Sequence, residues 1–115
     1  MSKGSNLSTE AVKLVNGARQ ESYGHPYYDF SRSTGAMSAL GFRFQCEDGT
    51  IRHLGPSDLP IMMLCVKAAR EVHKHKEDNL VDIIGYTNCL GMVLEKQHEL
   101  VREALSEVER VETAK

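Results

Sequence analysis

Apolar side chains recur at helical spacing through the first third of the chain. One set predicts a first helix over about residues 9–22, after a frayed terminus at residues 1–7. The apolar face of this helix comprises Ala11, Leu14, Val15 and Ala18. A second set predicts a second helix over about residues 29–40, and its buried face comprises Phe30, Thr34, Met37 and Leu40.

The apolar spacing changes from helical to alternating after the second helix. Phe42, Phe44 and Cys46 alternate with polar residues, and Asp48-Gly49 follows them as a turn signal. A second short run with β-like composition comes directly after this turn. The sequence therefore predicts a small β-hairpin inserted at residues 42–54.

Two further helices are predicted after the hairpin. Ser57 is a candidate N-cap, and it places Pro60 in the first turn of a third helix, where a missing N–H is not needed. This helix is expected to end near Lys74, with core contacts from Leu59, Met62, Met63, Val66 and Ala69. A fourth helix begins near Glu77 or Asp78, because acidic residues in a first turn suit the helix dipole.

The last part of the fourth helix, residues 95–115, is a highly charged tail that retains a narrow apolar stripe. Leu94, Val101 and Val108 lie seven residues apart along it. The stripe is broadened by Leu100, Ala104, Leu105 and Val111. This pattern favours packing against a partner subunit, in a dimer or a larger homo-oligomer. The alternative is a helix packed on the core of its own domain.

The composition is that of one ordinary globular domain spanning residues 1–115. Apolar residues make up 41% of the chain and charged residues 26%, with a net charge of −2. Because no global basic field is present, nucleic acid is not an expected partner. No apolar run has the length of a membrane span, and no signal peptide precedes the first helix. Three widely spaced cysteines suit reduced thiols, so a cytoplasmic protein is expected.

Acidic side chains follow one stripe of the otherwise apolar fourth helix. Asp78 and Asp82 lie four residues apart, with Tyr86 one turn further on. Desolvated carboxylates need partners, and a metal ion, a basic side chain or a ligand would serve. If the third and fourth helices form an antiparallel hairpin, Glu71 comes near Asp82. Such a group of carboxylates suits Mg²⁺, which prefers oxygen ligands.

Basic residues of the third helix lie beside these carboxylates in the predicted hairpin. Lys67, Arg70 and Lys74 could neutralise the phosphates of a nucleotide held there. The alternative is purely structural. Lys67 and Glu71 would then pair within the helix at i, i+4, and Asp78 would only cap the fourth helix.

A dense polar and aromatic loop, RQESYGHPYYDF, joins the first two helices. Gly24 permits a positive φ and Pro26 takes His25 out of the helical region. Such loops often carry sites, and the candidates for contact with substrate are Arg19, Tyr23 and His25. The alternative is an ordered turn whose tyrosines cover the edge of the core.

Two segments, RQESYGHPYYDF and SDLPIMMLCVKAAREVHKHKEDNLVDIIGY, resemble a family of small bacteriophage proteins of unassigned function, over roughly residues 10–94. The second segment is also similar to the all-α MazG-like nucleotide pyrophosphohydrolases. The run from Asn79 to Asp82 fits the second metal motif of that superfamily, with Asn in place of the first Glu. The run from Lys67 to Glu71 fits its first motif and retains only the last Glu.

This resemblance implies an all-α fold, a four-helix bundle with a MazG-type hairpin core, and a phage-encoded enzyme that cleaves nucleoside triphosphates with Mg²⁺. The implied catalytic residues are Glu71 and Asp82. The candidate metal ligands are Glu71, Asp82 and also Asp78, which the spacing of the acidic stripe adds. The candidate substrate-binding residues are those of the loop, the third helix and the fourth helix already described: Arg19, Tyr23, His25, Lys67, Arg70 and Tyr86. Two other functions remain open: a non-catalytic protein that sequesters a nucleotide or nucleotide signal, and a small oligomeric interaction protein.

Overall fold

The fold is known from a computed structural model that describes residues 7–11 and 18–114. Residues 7–11 are helical. The helices that follow are α1 (Ala18–Tyr23), α2 (Pro26–Ala39), α3 (Asp58–His73) and α4 (Glu77–Thr113). Strands β1 (Phe44–Gln45) and β2 (Ile51–Arg52) lie between α2 and α3. The predicted frayed terminus includes Leu7, which is helical and buried, and its other residues lie outside the described ranges.

The α2 helix begins at Pro26, three residues earlier than predicted, because the residues before it form a cap. Gly24 has a φ of 80° and its N–H donates to the carbonyl of Gln20, which closes the end of α1. His25 is the N-cap of α2, and its Nδ1 accepts a hydrogen bond from the Tyr27 N–H at 3.1 Å. Pro26 then occupies the first helical position, where its missing N–H costs nothing.

Helices α3 and α4 form an antiparallel hairpin, joined by the short turn that follows His73, and α2 packs on α4. One core cluster unites α2 with α4 through Phe30, Cys89 and Val93. Its half-buried neighbours are Tyr27, Leu59, Tyr86 and Met92. A second cluster places Leu7 and Ala11 against Val81 of α4. The core therefore lies along the first half of α4.

The outer ends of two predicted core faces are exposed. Leu40, the C-cap of α2, is 80% exposed, and Met37 is only half-buried. Val66 and Ala69 of α3 are also exposed. These core predictions were wrong because α3 contacts α4 along one side only, and because Leu40 is the C-cap, past the last residue of α2. The predicted core positions Leu14 and Val15 lie outside the described residues.

The predicted β-hairpin is present. Phe44 pairs with Arg52 in an antiparallel register, and Gly49 supplies the positive φ, 88°, that the turn requires. The Asp48 carboxylate accepts hydrogen bonds from the N–H and hydroxyl of Thr50, at 3.0 and 2.7 Å. Because these contacts are local, the hairpin was readable from a short stretch of sequence.

Arg52 fastens the hairpin to α3. Its guanidinium donates two hydrogen bonds to the Asp58 carboxylate, at 2.7 and 2.8 Å, and lies 4.2 Å from the centre of the Phe44 ring. Asp58 also accepts the Gly55 N–H at 2.7 Å. The Arg52 guanidinium, more than any other group, lowers the pKa of Asp58 below its usual range. Asp58 thus ties the hairpin, the following loop and the first turn of α3 together.

The fold is mostly helical, with a two-stranded hairpin and a long last helix, as the sequence predicts. A four-helix bundle stays a prediction, since the second half of α4 extends beyond the other described helices. No helix in residues 7–11 and 18–114 combines the length and the apolar character needed to cross a membrane.

Candidate anion-binding cleft

A cleft of about 640 Å³ opens where α3 turns into α4. This volume is within the range of small-molecule sites in proteins. The cleft is lined by Lys67, Ala69, Arg70, His73, Lys74, Lys76, Asp78 and Asn79. The α3–α4 hairpin brings these residues together, because the last two turns of α3, the connecting turn and the first turn of α4 meet there.

The cleft is strongly basic. Among its cations, Lys67 is engaged, since its Nζ lies 2.7 Å from Oδ2 of Asp82 across the hairpin. In the part of the chain that the structure describes, no carboxylate pairs with Arg70, Lys74 or Lys76. Asp78 is the one acidic residue among the described lining residues. Unpaired cations around a concave surface attract an anionic ligand.

Glu71 holds the turn that shapes the cleft. Its carboxylate accepts the Lys76 N–H at 3.0 Å and the Asn79 side-chain amide at 3.3 Å, and it contacts Nδ1 of His75. Lys76 is the N-cap of α4 and has no capping side chain of its own. Glu71 therefore caps α4 from the preceding helix, where a negative charge also suits the helix dipole.

The pKa of Glu71 is lowered from its usual value of about 4.5, first by the contact with His75 and then by the bonds from Lys76 and Asn79. Because folding depresses this pKa, the contribution of Glu71 to stability is present above about 4.5 and is lost as pH falls through the lower, folded value. We expect Glu71→Gln to destabilise the chain at neutral pH and to match the wild type in strong acid. Urea unfolding at several pH values measures this difference.

Glu95→Gln is the matched control for this pH series, because Glu95 is an exposed residue of α4 far along the helix from the turn. Its difference from the wild type should be small and should vary little with pH. A Glu71→Gln difference that stays constant down to strong acid would contradict the assigned role of the carboxylate.

Two of the three predicted metal ligands have other partners in this fold. Glu71 is engaged at the turn and Asp82 pairs with Lys67, whereas Asp78 lines the cleft. Over the described residues, no three His, Cys, Asp or Glu side chains converge as a set that could hold a metal ion. The donor set as arranged does not fit Mg²⁺ coordination by protein groups alone. The roles of these three carboxylates in metal binding and catalysis stay predictions.

The structural alternative, an ion pair between Lys67 and Glu71 within one helix, is wrong. Both residues make their contacts across the hairpin or at its turn. The spacing along one helix could not show this, because the competing partners Asp82 and Asn79 belong to the next helix.

The predicted substrate-binding residues separate into two groups. Lys67 and Arg70 both line the cleft. The lining does not include Tyr23, His25 or Tyr86. Tyr23 is exposed at the end of α1, His25 caps α2, and Tyr86 packs against the Phe30 cluster. The side chain of Arg19 lies outside the described residues.

Sequence reasoning gave too little weight to the segment VHKHK, residues 72–76. His73, Lys74 and Lys76 all line the cleft, whereas the sequence pointed only to Lys74 among them as a contact for phosphate. Its signal was the density of cations at a predicted helix end. What was missing was a reason for Arg70, Lys74 and Lys76, which lie two to six residues apart, to face one space, and the turn provides it.

A family model described as a domain of unknown function (DUF6378) matches residues 6–94. The chain belongs to this family. The DUF6378 domain contains α2, the β-hairpin, α3 and the first half of α4, and therefore the whole cleft. The charged tail after Leu94 lies beyond the match. No curated protein and no solved structure matches the chain. The resemblances to bacteriophage proteins and to MazG-like enzymes stay predictions.

Proposed function

We propose that the DUF6378 domain of this chain binds a nucleotide, or a nucleotide-derived signal, through its phosphates at the basic cleft. The observation that carries this proposal is a set of three cations, Arg70, Lys74 and Lys76, which pair with no carboxylate among the described residues and surround a cleft of about 640 Å³. Guanidinium and ammonium groups form strong, charge-assisted hydrogen bonds with phosphate oxygens. The role is sequestration rather than turnover, because the Glu71 and Asp82 carboxylates already bind the Lys76 N–H and the Lys67 side chain within the α3–α4 hairpin.

Lys67 and Asp82 would adjust the charge of the same site. The Lys67 side chain is largely buried, and its ion pair with Asp82 keeps it extended along the wall of the cleft. A phosphate that approaches Lys67 competes with Asp82 for this ammonium group. The cleft would therefore bind polyphosphates, which contact several cations at once, more tightly than single phosphates.

A second candidate is the MazG-like pyrophosphohydrolase, which acts on nucleoside triphosphates with Mg²⁺. The observation in its favour is that Asp78 lines the cleft, while Glu71 and Asp82 each contact a lining residue. When bound with the nucleotide, Mg²⁺ would supply charge neutralisation at the phosphates. Turnover would require at least Glu71 or Asp82 to leave its present partner.

The binding test uses calorimetry with ATP, AMP and inorganic triphosphate. We expect ATP and triphosphate to bind and AMP to bind more weakly. Arg70→Ala with Lys74→Ala should weaken ATP binding by about tenfold to a hundredfold, since bonds to charged groups are among the strongest. Arg32→Ala with Arg43→Ala is the matched control, because it removes two cations away from the cleft. Equal losses in both double variants would contradict a localised site.

Pyrophosphate release from ATP and the deoxynucleoside triphosphates, with and without Mg²⁺, separates the two candidates. Binding without product supports sequestration. Release of pyrophosphate that Asp82→Asn abolishes supports the enzyme. The third function, a small oligomeric interaction protein, would be supported if no nucleotide bound.

We also infer that the chain is a homo-oligomer. The support is the apolar stripe on the second half of α4, which remains about half exposed.

A further inference from the structure

The second half of α4, residues 94–113 (called the tail here), projects beyond the helices that flank its first half. Every residue from Val101 to Ala114 is exposed. Its apolar side chains share one face and are each about half exposed: Leu94, Val101, Leu105, Val108 and Val111. A continuous apolar face of this kind on an otherwise charged helix marks an interaction surface.

The tail cannot cover this face with its own hairpin. α4 is one continuous helix from Glu77 to Thr113, and α3 packs antiparallel to its first half. The tail therefore runs away from the α3 of its own chain. At 1.5 Å per residue the tail is about 30 Å long, and α3 with 16 residues is about 24 Å long. The lengths match, so the α3 of another copy offers a surface of the right size.

The α3 helix presents a matching apolar surface. Val72 is 89% exposed and Ile61 is 48% exposed. Further exposed small or apolar side chains on this helix are Cys65, Val66, Ala68 and Ala69. Like the tail, this surface is left uncovered by the described residues of its own chain.

The tail and the C-terminal end of α3, with the turn that follows it, carry charges of opposite sign. The tail carries six glutamates and three cations, a difference of −3. Residues 66–76 carry four cations, Lys67, Arg70, Lys74 and Lys76, and one carboxylate, Glu71. Two tails packed together would bring net negative charges into contact, whereas a tail beside α3 brings opposite charges together. The occupant that fits α3 is therefore the tail of a second copy.

We propose that two chains form a symmetric dimer in which the tail of each docks along α3 of the other. The two α4 helices then run antiparallel. Because α3 and the docked tail point the same way, the glutamate-rich end of the tail arrives at the basic cleft of the other copy. This assignment rests on the homo-oligomer inferred above and not on nucleotide binding. Both copies contribute the same pair of surfaces, so the assembly closes at two chains.

The first test measures the dimer dissociation constant of the full chain without nucleotide, by analytical ultracentrifugation. Val101→Gln with Val108→Gln removes two apolar contacts without adding charge or lowering helix propensity, and should weaken the dimer about tenfold or more. Ser106→Gln with Thr113→Gln alters the opposite face of the tail and is the matched control. We expect it to leave the dissociation constant nearly unchanged. A chain that stays monomeric up to high concentration would overturn the proposal.

The second test separates tail-to-α3 docking from pairing of two tails. Arg70→Glu with Lys74→Glu should weaken the dimer, and adding Glu109→Lys with Glu112→Lys to the same chain should restore much of the loss. Higher salt should weaken the wild-type dimer. If the dimer forms but ignores the reversal on α3, the tails pair with each other and this docking is wrong. Circular dichroism verifies that each variant retains its helices.

These results are distinguishable from failure of the proposed nucleotide function. Dimerisation is measured without ligand, and calorimetry with ATP reports the cleft. If the tail reaches the cleft of the other copy, the Val101→Gln, Val108→Gln variant should bind ATP more tightly than the wild type. If the variant dissociates but binds ATP with the same affinity as the wild type, the tail end does not lie at the cleft.

Discussion

Phe30→Ala should lower the free energy of unfolding by about 3–5 kcal/mol, the range expected when a buried Phe is truncated in a close-packed core. Phe30 is 3% exposed and packs with Cys89 and Val93 of α4. Because Leu59 of α3 packs against the same cluster, the ring helps to join three helices. Equilibrium unfolding in urea measures the loss, and an intermediate loss is expected for Phe30→Leu.

Tyr23→Ala is the control, since Tyr23 is an exposed aromatic residue one helix earlier. The hydrogen bond that Arg32 donates to Tyr23 uses its backbone carbonyl, so the substitution preserves it. We expect a change within about 0.5 kcal/mol. If both variants lose similar stability, or if Phe30→Ala loses under 1 kcal/mol, the Phe30 cluster is not the principal core.

Asp58→Ala should destabilise the chain by about 1.5–3 kcal/mol, because it removes hydrogen bonds that a charged acceptor makes to Arg52 and to the Gly55 N–H. The loss stays within this range because Arg52 is half exposed, so solvent can replace the Asp58 carboxylate as its hydrogen-bond partner. Urea unfolding measures the loss. Hydrogen exchange of the β1–β2 amides should also speed up, because the hairpin loses its attachment to α3.

The pH dependence of this contribution has a defined sign. Folding lowers the pKa of Asp58, so the stabilisation is complete above its usual value of about 3.8 and is lost as pH falls through the folded value. Asp48→Ala, in the exposed turn of the same hairpin, is the control and should cost less. Wild-type exchange rates for the hairpin amides in Asp58→Ala would contradict the anchoring role.

Local signals predicted the secondary structure well. The Asp48-Gly49 turn and the alternating phenylalanines predicted the hairpin within a few residues. The start of α3 directly after Ser57 was also predicted correctly, although the Ser57 side chain makes no capping hydrogen bond. The start of α2 was missed, because the capping role of His25 depends on a ring nitrogen that points at the Tyr27 N–H. Histidine is not among the residues commonly preferred at N-caps, so the sequence favoured a loop before Asp29.

The candidate site was predicted only in part, because contacts between helices cannot be derived from the order of the residues. Lys67 and Arg70 line the cleft, but Glu71 and Asp82 are engaged by Asn79 and Lys67. A list of charged residues in order does not state which opposite charge lies closest in space. Tyr86 was predicted to line a pocket because it lies on the same helical stripe as Asp78 and Asp82. Instead it packs against the Phe30 cluster, because α2 covers that side of α4.

The sequence by itself determined the helical and hairpin segments, the charged tail and the concentration of cations at residues 67–76, because these depend on neighbours along the chain. Only the tertiary structure decided which of these charges face a common space. The angle and length of the α3–α4 turn bring Arg70, Lys74 and Lys76 around one cleft while Asp82 neutralises Lys67. Electrostatic energy depends on distance and desolvation between helices, and neither quantity is encoded by spacing along one helix.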